Sequence, residues 1–192
     1  MDDMTALSCP PGHLFTLEEW DALPEDTSRH YELAEGVLLV SPKPAPFHQM
    51  AMGNLMVDLN RQLPGTLVAT PDTEVVVNSR FPATVRAPDV LVTSASRFRQ
   101  NPPRFDAGDV LLAVEIISPG SNMVDRIHKL GEYAEAGIPH YWLIDLKEPA
   151  TLTAYNLVDG HYEIATKATE SVTLTEPATL TVDVSRLTDR QY

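Results

Sequence analysis

The chain has 192 residues, 43% of them hydrophobic and 21% charged, with a formal net charge of −13. That balance belongs to a globular chain able to bury a core and excludes a disordered one. Such an acid surplus also argues against a protein that coats nucleic acid without sequence preference. The single cysteine, Cys9, excludes an intramolecular disulfide and a cysteine-based zinc site. No stretch approaches the roughly 18 uncharged apolar residues of a membrane span. The acidic start MDDMTALSCPPG lacks the basic and apolar segments of a secretory leader. These features predict one domain over residues 1–192, cytoplasmic and without a membrane partner.

Leu14 to Leu23 reads as a short helix, with Thr16 and Glu19 in a capping-box pattern. YELAEGVLLV (31–40) predicts a hairpin turning near Glu35-Gly36. The proline-rich SPKPAPF (41–47) predicts an extended connection. A helix over 48–63 follows, with Met52, Leu55, Leu59 and Leu63 on one face and Pro64-Gly65 beyond its end. Strands are expected at 74–78 and 85–93, then a Pro/Arg loop at 97–105. Charge is uneven along the way. Residues 1–30 carry seven acids against Arg29, whereas 80–104 carries five arginines (80, 86, 97, 99 and 104) against Asp89. This basic run is either a phosphate-facing surface or an ordinary solvated one.

Val110 to Ile117 holds seven apolar residues and one acid, Glu115, which predicts a strand buried on both faces. A lone carboxylate there costs on the order of several kcal/mol unless it is compensated. The spacing then predicts a helix over 122–136, capped by Asn122 and stopped by Gly137 and Pro139, with Met123, Ile127, Leu130 and Ala134 as its core stripe. HYWLID (140–145) is another apolar strand, and two such strands bracketing a helix imply a parallel crossover. TLTAYNLVDGHYEIAT (151–166) predicts a hairpin around Asp159-Gly160. The threonine-rich remainder, 166–192, reads as a further edge strand. The fold class is α/β (α+β): a central mixed β-sheet flanked by helices, with extra β-hairpins at both ends.

Asp89 follows Pro88, and Glu115 lies on the next strand. Neighbouring strands are about 4.8 Å apart, so two carboxylates there need a cation between them. Mg²⁺ suits that position because it takes one or two protein carboxylates and leaves its other positions to water and phosphate. Asp125 and Lys129 are four apart, share a helix face and can pair. From that helix Lys129 can reach the site, where an ammonium stabilises charge that grows in a transition state.

Pro88-Asp89, Glu115 and a lysine together resemble the PD-(D/E)xK nuclease superfamily, with its restriction-endonuclease-like fold. YELAEG, His48-Gln49 at a helix start, APDVLV and VEIISPGSNMVDRIHKLGEYAEAGIPHYWLID resemble its bacterial Uma-two branch, over about residues 14–165. The resemblance implies an endonuclease that hydrolyses nucleic acid phosphodiesters, DNA before RNA, with Mg²⁺ or Mn²⁺. It implies that Asp89 and Glu115 hold the metal and that Lys129 orients or activates the nucleophile. One departure is plain: Ile117 stands where the superfamily has its lysine, two residues after the acid. That nominates Lys129 on the helix. Further candidates are Glu32 as an additional acid, His48 for substrate or water positioning, and Asp125 to orient Lys129 or the helix start. Glu74 is a weaker candidate acid, and Tyr133 reads as core packing. The hairpin 151–166 is the expected surface of a homodimer. Two other readings stay open. One is a catalytically inactive accessory or interaction module of the same fold, favoured by Ile117 and the charge of −13. The other is hydrolysis of a smaller phosphoester.

Overall fold

A computed structural model describes residues 12–24, 29–117 and 123–189, with the side chains of the last segment described from Ile127 onward. Thr16 caps α1 (Leu17–Asp21): its Oγ1 accepts from the Glu19 amide at 3.2 Å, and Glu19 Oε2 accepts from the Thr16 amide at 2.9 Å. The hairpin of β1 (His30–Ala34) and β2 (Val37–Ser41) turns at Glu35 and Gly36, whose φ angles are 46° and 76°. Positive φ at both central residues gives a turn whose twist matches its strands. The next helix, α2 (Pro46–Gln62), starts two residues earlier than expected. Pro46 sits in its first turn, where a missing N–H breaks no helical bond.

Two strands depart from expectation. β3 (Leu67–Pro71) is too short and too proline-bounded to announce itself, and β4 (Val75–Asn78) follows it. The single strand expected over 85–93 is two, β5 (Thr84–Arg86) and β6 (Val90–Ser94). Pro88 separates them because it has no ladder donor and a fixed φ. After α3 (Ala95–Phe98) and β7 (Phe105–Asp106), the elements fall where the pattern puts them. These are β8 (Val110–Ile117), α4 (Met123–Glu135), β9 (His140–Asp145), β10 (Thr151–Val158) and β11 (His161–Ala168). Gly137, at φ 80°, closes α4, with the Ile138 amide donating to Tyr133 O at 3.1 Å. The C-terminal residues make a hairpin of their own, β12 (Ser171–Leu174) and β13 (Leu180–Asp183), rather than one edge strand. Pro177, between the two, cannot continue a ladder.

The main sheet is mixed, in the order β11-β10-β9-β8-β6-β3. β8 and β9 run parallel, Glu115 opposite Leu143, with α4 as the crossover, and the other pairs are antiparallel. A second sheet, β2-β1-β5-β4-β7, takes in the N-terminal hairpin. The chain therefore changes sheets at Ala87-Pro88-Asp89. On one face of the main sheet α2 packs Ala51, Leu55 and Leu59 against Val92, Leu112, Val114, Trp142 and Ile144. Each large side chain buried this completely contributes about 1.5–3 kcal/mol. The β12–β13 hairpin closes the same core with Leu180 and Val182, and Gln62 bonds Thr181 in both directions at 2.9 and 2.7 Å. The opposite face is smaller and aromatic, with Tyr133 of α4 and Tyr141 of β9 among Leu91, Ala113 and Ile138.

Candidate active site

Strand alternation decides where Glu115 goes. Val114 and Ile116 point into the core under α2, so Glu115 points to the α4 side. Asp89 immediately precedes β6, whose Val90 pairs with Val114, so Asp89 stands across from Glu115. The Ile116 amide donates to Asp89 Oδ2 at 2.6 Å, which fixes that carboxylate beside β8.

Three α4 residues at spacings of three and four, Lys129, Glu132 and Tyr133, face this point. Lys129 Nζ lies 3.0 Å from Glu115 Oε2 and 2.9 Å from Glu32 Oε1. Tyr133 donates its hydroxyl to Glu115 Oε1 at 2.8 Å. Both Glu115 oxygens are thus held by the helix, which is how an apolar strand tolerates the acid. Compensation is incomplete. Burial, joined by the charges of Asp89 and Glu32 and opposed by Lys129, pushes the Glu115 carboxyl up to about 7. Burial also keeps the Tyr133 phenol protonated far beyond its ordinary range, so it acts as a donor.

Glu32 of β1 has the opposite fate. Burial opposes its ionisation, but Lys129, His30, Arg86 and the Ala87 amide outweigh it, and its carboxyl is held well below the usual range. Arg86 Nη1 is 3.0 Å from Glu32 Oε2, and the Ala87 amide donates to Oε1 at 3.1 Å. Arg86 also grips Glu132 with a fork, Nε to Oε2 at 2.7 Å and Nη2 to Oε1 at 2.9 Å. Behind Glu32, His30 lies 3.3 Å from Asp72 Oδ1, and these acids raise its pKa to about 10.

His48, in the first turn of α2, is buried. Its Nε2 is 3.0 Å from Ile116 O and 3.2 Å from Asp89 Oδ1. Both neighbours are acceptors, so Nε2 carries the hydrogen. Burial disfavours the charged ring, yet Asp89 and the Ile116 carbonyl raise its pKa.

The structure brings Asp89, Glu115, Lys129, Glu32 and His48 into one constellation. The side chain of Asp125 lies outside the described residues. The expected Asp125–Lys129 pairing therefore lies outside the described residues; Lys129 bonds Glu115 and Glu32. Glu74 is not part of the site: it accepts from Trp20 Nε1 at 3.2 Å. Arg86 and Glu132 escaped the sequence reading, and Tyr133 was read as packing before function. The α4 pair had a signal, their spacing from Lys129. Arg86 had none, because it sits in the basic run. That run is largely consumed inside the protein: Arg97 pairs with Asp109 at 2.8 Å, and Arg104 with Asp21 and Glu74. Among the described residues no three His, Cys, Asp or Glu side chains form a metal-holding group. The groups able to share a cation are Asp89 and Glu115, with the Ile116 carbonyl beside them.

A mixed sheet with a parallel crossover, one acid on β8, another just before the neighbouring β6 and a lysine from the crossover helix defines a restriction-endonuclease-like α/β protein. The structure superposes on a crystal structure titled as a putative nuclease belonging to DUF820 from Anabaena variabilis, with a TM-score of 0.71. The match covers 91% of this chain and 97% of the other at 21% identity, a likeness of fold. Residues 17–188 match the Uma2 family model, described as "Putative restriction endonuclease", and the chain belongs to that family. No curated protein matches it.

Proposed function

We propose that the protein is an endonuclease that hydrolyses DNA phosphodiester bonds at this site with Mg²⁺ or Mn²⁺, in the cytoplasm. The observation that carries the reading is a charge deficit. Four carboxylates, Asp89, Glu115, Glu32 and Glu132, meet two permanent cations, Arg86 and Lys129. The remainder is two negative charges when Glu115 is ionised and His48 neutral, centred where Asp89 and Glu115 face each other.

Asp89, Glu115 and the Ile116 carbonyl offer hard oxygens, and a donor set of one or two carboxylates with the rest left to water and phosphate fits Mg²⁺. Held by these oxygens, a divalent ion would supply Lewis acidity, which would lower the pKa of water and draw charge from phosphoryl oxygens. The chain's own residues do the rest. Lys129 presents an ammonium to the charge that develops on the phosphate, in a site where such a contact is worth more than in water. Glu32 holds that ammonium from the far side, so it is shared rather than collapsed onto Glu115. Tyr133 holds Glu115 Oε1, and His48 holds Asp89 Oδ1 and the Ile116 carbonyl in place. The edge strand β11 is our choice for a homodimer surface. It is the outer strand of the main sheet, and its Ile164 is 63% exposed. Sedimentation of the wild type beside Ile164→Lys tests it, and a monomer at micromolar concentration rejects it.

Cleavage of supercoiled, linear and single-stranded DNA with Mg²⁺ or Mn²⁺, wild type beside Glu115→Gln, tests the activity. Nicking by the wild type and none by the variant supports the reading. The internal pairing of Arg86, Arg97 and Arg104 favours the rival, an inactive module of the same fold. Neither cleavage nor calorimetric heat at millimolar metal selects that rival. Turnover of a model diester with DNA untouched moves the substrate to a smaller phosphoester.

A further inference from the structure

We infer that Arg86 and Glu132 are positioning residues, a buried fork that sets the height and rotation of α4 so that Lys129 and Tyr133 meet Glu115. The inference rests on the reading of this site as the functional one, but its test does not.

Glu115 belongs to the main sheet, Arg86 and Glu32 to the second sheet, and Lys129, Glu132 and Tyr133 to α4. Among the described residues no backbone ladder joins α4 to either sheet. Apolar packing is a weak locator here, because it is non-directional and tolerates small slides of a helix over a sheet. A guanidinium–carboxylate fork is not tolerant: two parallel N–H···O bonds fix both distance and angle. This fork is made by Nε and Nη2 at 2.7 and 2.9 Å, from a residue 1% exposed. The same guanidinium spends Nη1 on Glu32 at 3.0 Å, and Glu32 in turn holds Lys129 at 2.9 Å. Glu132 is the neighbour of Tyr133 and lies three residues from Lys129, on the same helix face. A shift of α4 that breaks the fork therefore also moves the ammonium and the phenol away from Glu115. An arginine is required because a lysine ammonium cannot offer two parallel donors and a third in a fixed plane. Arg86 and Glu132 themselves lie behind Glu32 and Lys129, and each acts through the residue in front.

The test uses the full chain without nucleic acid. Lysines are few: Lys43, Lys129, Lys147 and Lys167. Reductive methylation followed by peptide mass spectrometry gives the rate at each. Lys129 is 7% exposed and held by two carboxylates. In the wild type it should react at least about tenfold more slowly than the other three, as a group reached only through local opening. Glu132→Gln keeps the size of the side chain and ends the charged fork. Arg86→Lys keeps the charge and loses the planar donors. In each folded variant the Lys129 rate should rise about fivefold or more, with the other three unchanged. Glu132→Asp, which keeps the carboxylate, should restore most of the protection. Val182→Ala, in the C-terminal hairpin and far from the fork, supplies a general loss of stability and should leave Lys129 protected. Unchanged Lys129 rates in Glu132→Gln and Arg86→Lys overturn the inference, and so does equal exposure in Val182→Ala. If the wild type cleaves no DNA, the function reading falls while the labelling result stands. If it does cleave, Glu132→Gln should lower kcat about tenfold or more with KM nearly unchanged, because the fork is remote from bound substrate.

Discussion

Glu115→Gln should make the metal-free protein more stable as the pH rises. The folded protein holds the Glu115 proton up to about pH 7, against 4.5 for the ordinary carboxyl. Below the unfolded value both states are protonated, and the contribution of this group to stability is fully present. Between the two values the unfolded chain gives up the proton freely, whereas the native state must ionise a carboxyl that is only 14% exposed, so stability falls as pH rises through 7. The interval corresponds to about 3 kcal/mol. Glutamine has no proton to lose and still accepts the Tyr133 hydroxyl, and Lys129 keeps Glu32 at 2.9 Å, so the substitution orphans no cation. Urea unfolding in EDTA, followed by the fluorescence of Trp20 and Trp142, reads both proteins across about pH 5 to pH 8.5. The stability of the variant relative to wild type should climb by about 3 kcal/mol over that range. A difference that is flat with pH, or that shrinks as pH rises, would refute the claim that burial of an incompletely compensated Glu115 governs this site.

The same carboxylate should miss its phenol: Tyr133→Phe removes the 2.8 Å donor to Oε1 and should lower stability by about 1.5–3 kcal/mol, read as a drop in Tm near neutral pH. His30 carries a sign opposite to that of an acid stabilised by its partners. Its pKa is raised to about 10, so its stabilisation is complete below 6.5 and is lost as pH rises through 10. Because Asp72 is 60% exposed, screening reduces this to about 1–2 kcal/mol, and His30→Gln should flatten that part of the stability–pH curve. At the β1–β2 turn, Gly36→Ala should cost about 1–3 kcal/mol in thermal unfolding. The added carbon meets Leu14 Cβ at 2.9 Å and Pro82 Cβ at 3.2 Å, at a φ of 76°.

The stretch from β8 through α4 to β9 was readable because each signal there is local. Val110–Ile117 is an unbroken apolar run around one acid, and Gly137 and Pro139 end α4; of its expected core stripe Ile127 is instead 64% exposed and the Met123 side chain lies outside the described residues. Glu115 and Lys129 lie in that stretch. Arg86 was not readable because its fate is decided far away in the chain, by Glu32 at a separation of 54 and Glu132 at 46. Among its sequence neighbours it is one more arginine in a basic run. The strand 85–93 was misread for a related reason. Its apolar continuity across Ala87-Pro88 suggested one strand, although a central strand does not accommodate proline. The break is what carries Asp89 from one sheet to the edge of the other. Tyr133 shows a different limit: a buried ring and a hydroxyl bonded to a carboxylate share one side chain, and helical spacing reports only the ring.

The displaced lysine follows from the same packing. A lysine two residues after Glu115 would share its face of β8, and Ile117 occupies that position, buried at 9% exposure. That face is roofed by α4, so the carboxylate can be reached from above by the helix as well as from along the strand. Lys129 takes that route and arrives at 3.0 Å. An ammonium carried on a strand is positioned by the ladder itself, whereas one carried on a helix is only as well placed as the helix. This chain accordingly has something the strand-borne arrangement would not need. Arg86 ties the helix to the second sheet through Glu132, and Glu32 holds the ammonium from behind. On this argument the buried arginine and the absent strand lysine are two sides of one solution, and losing either Arg86 or Glu132 should undo the substitution of helix for strand.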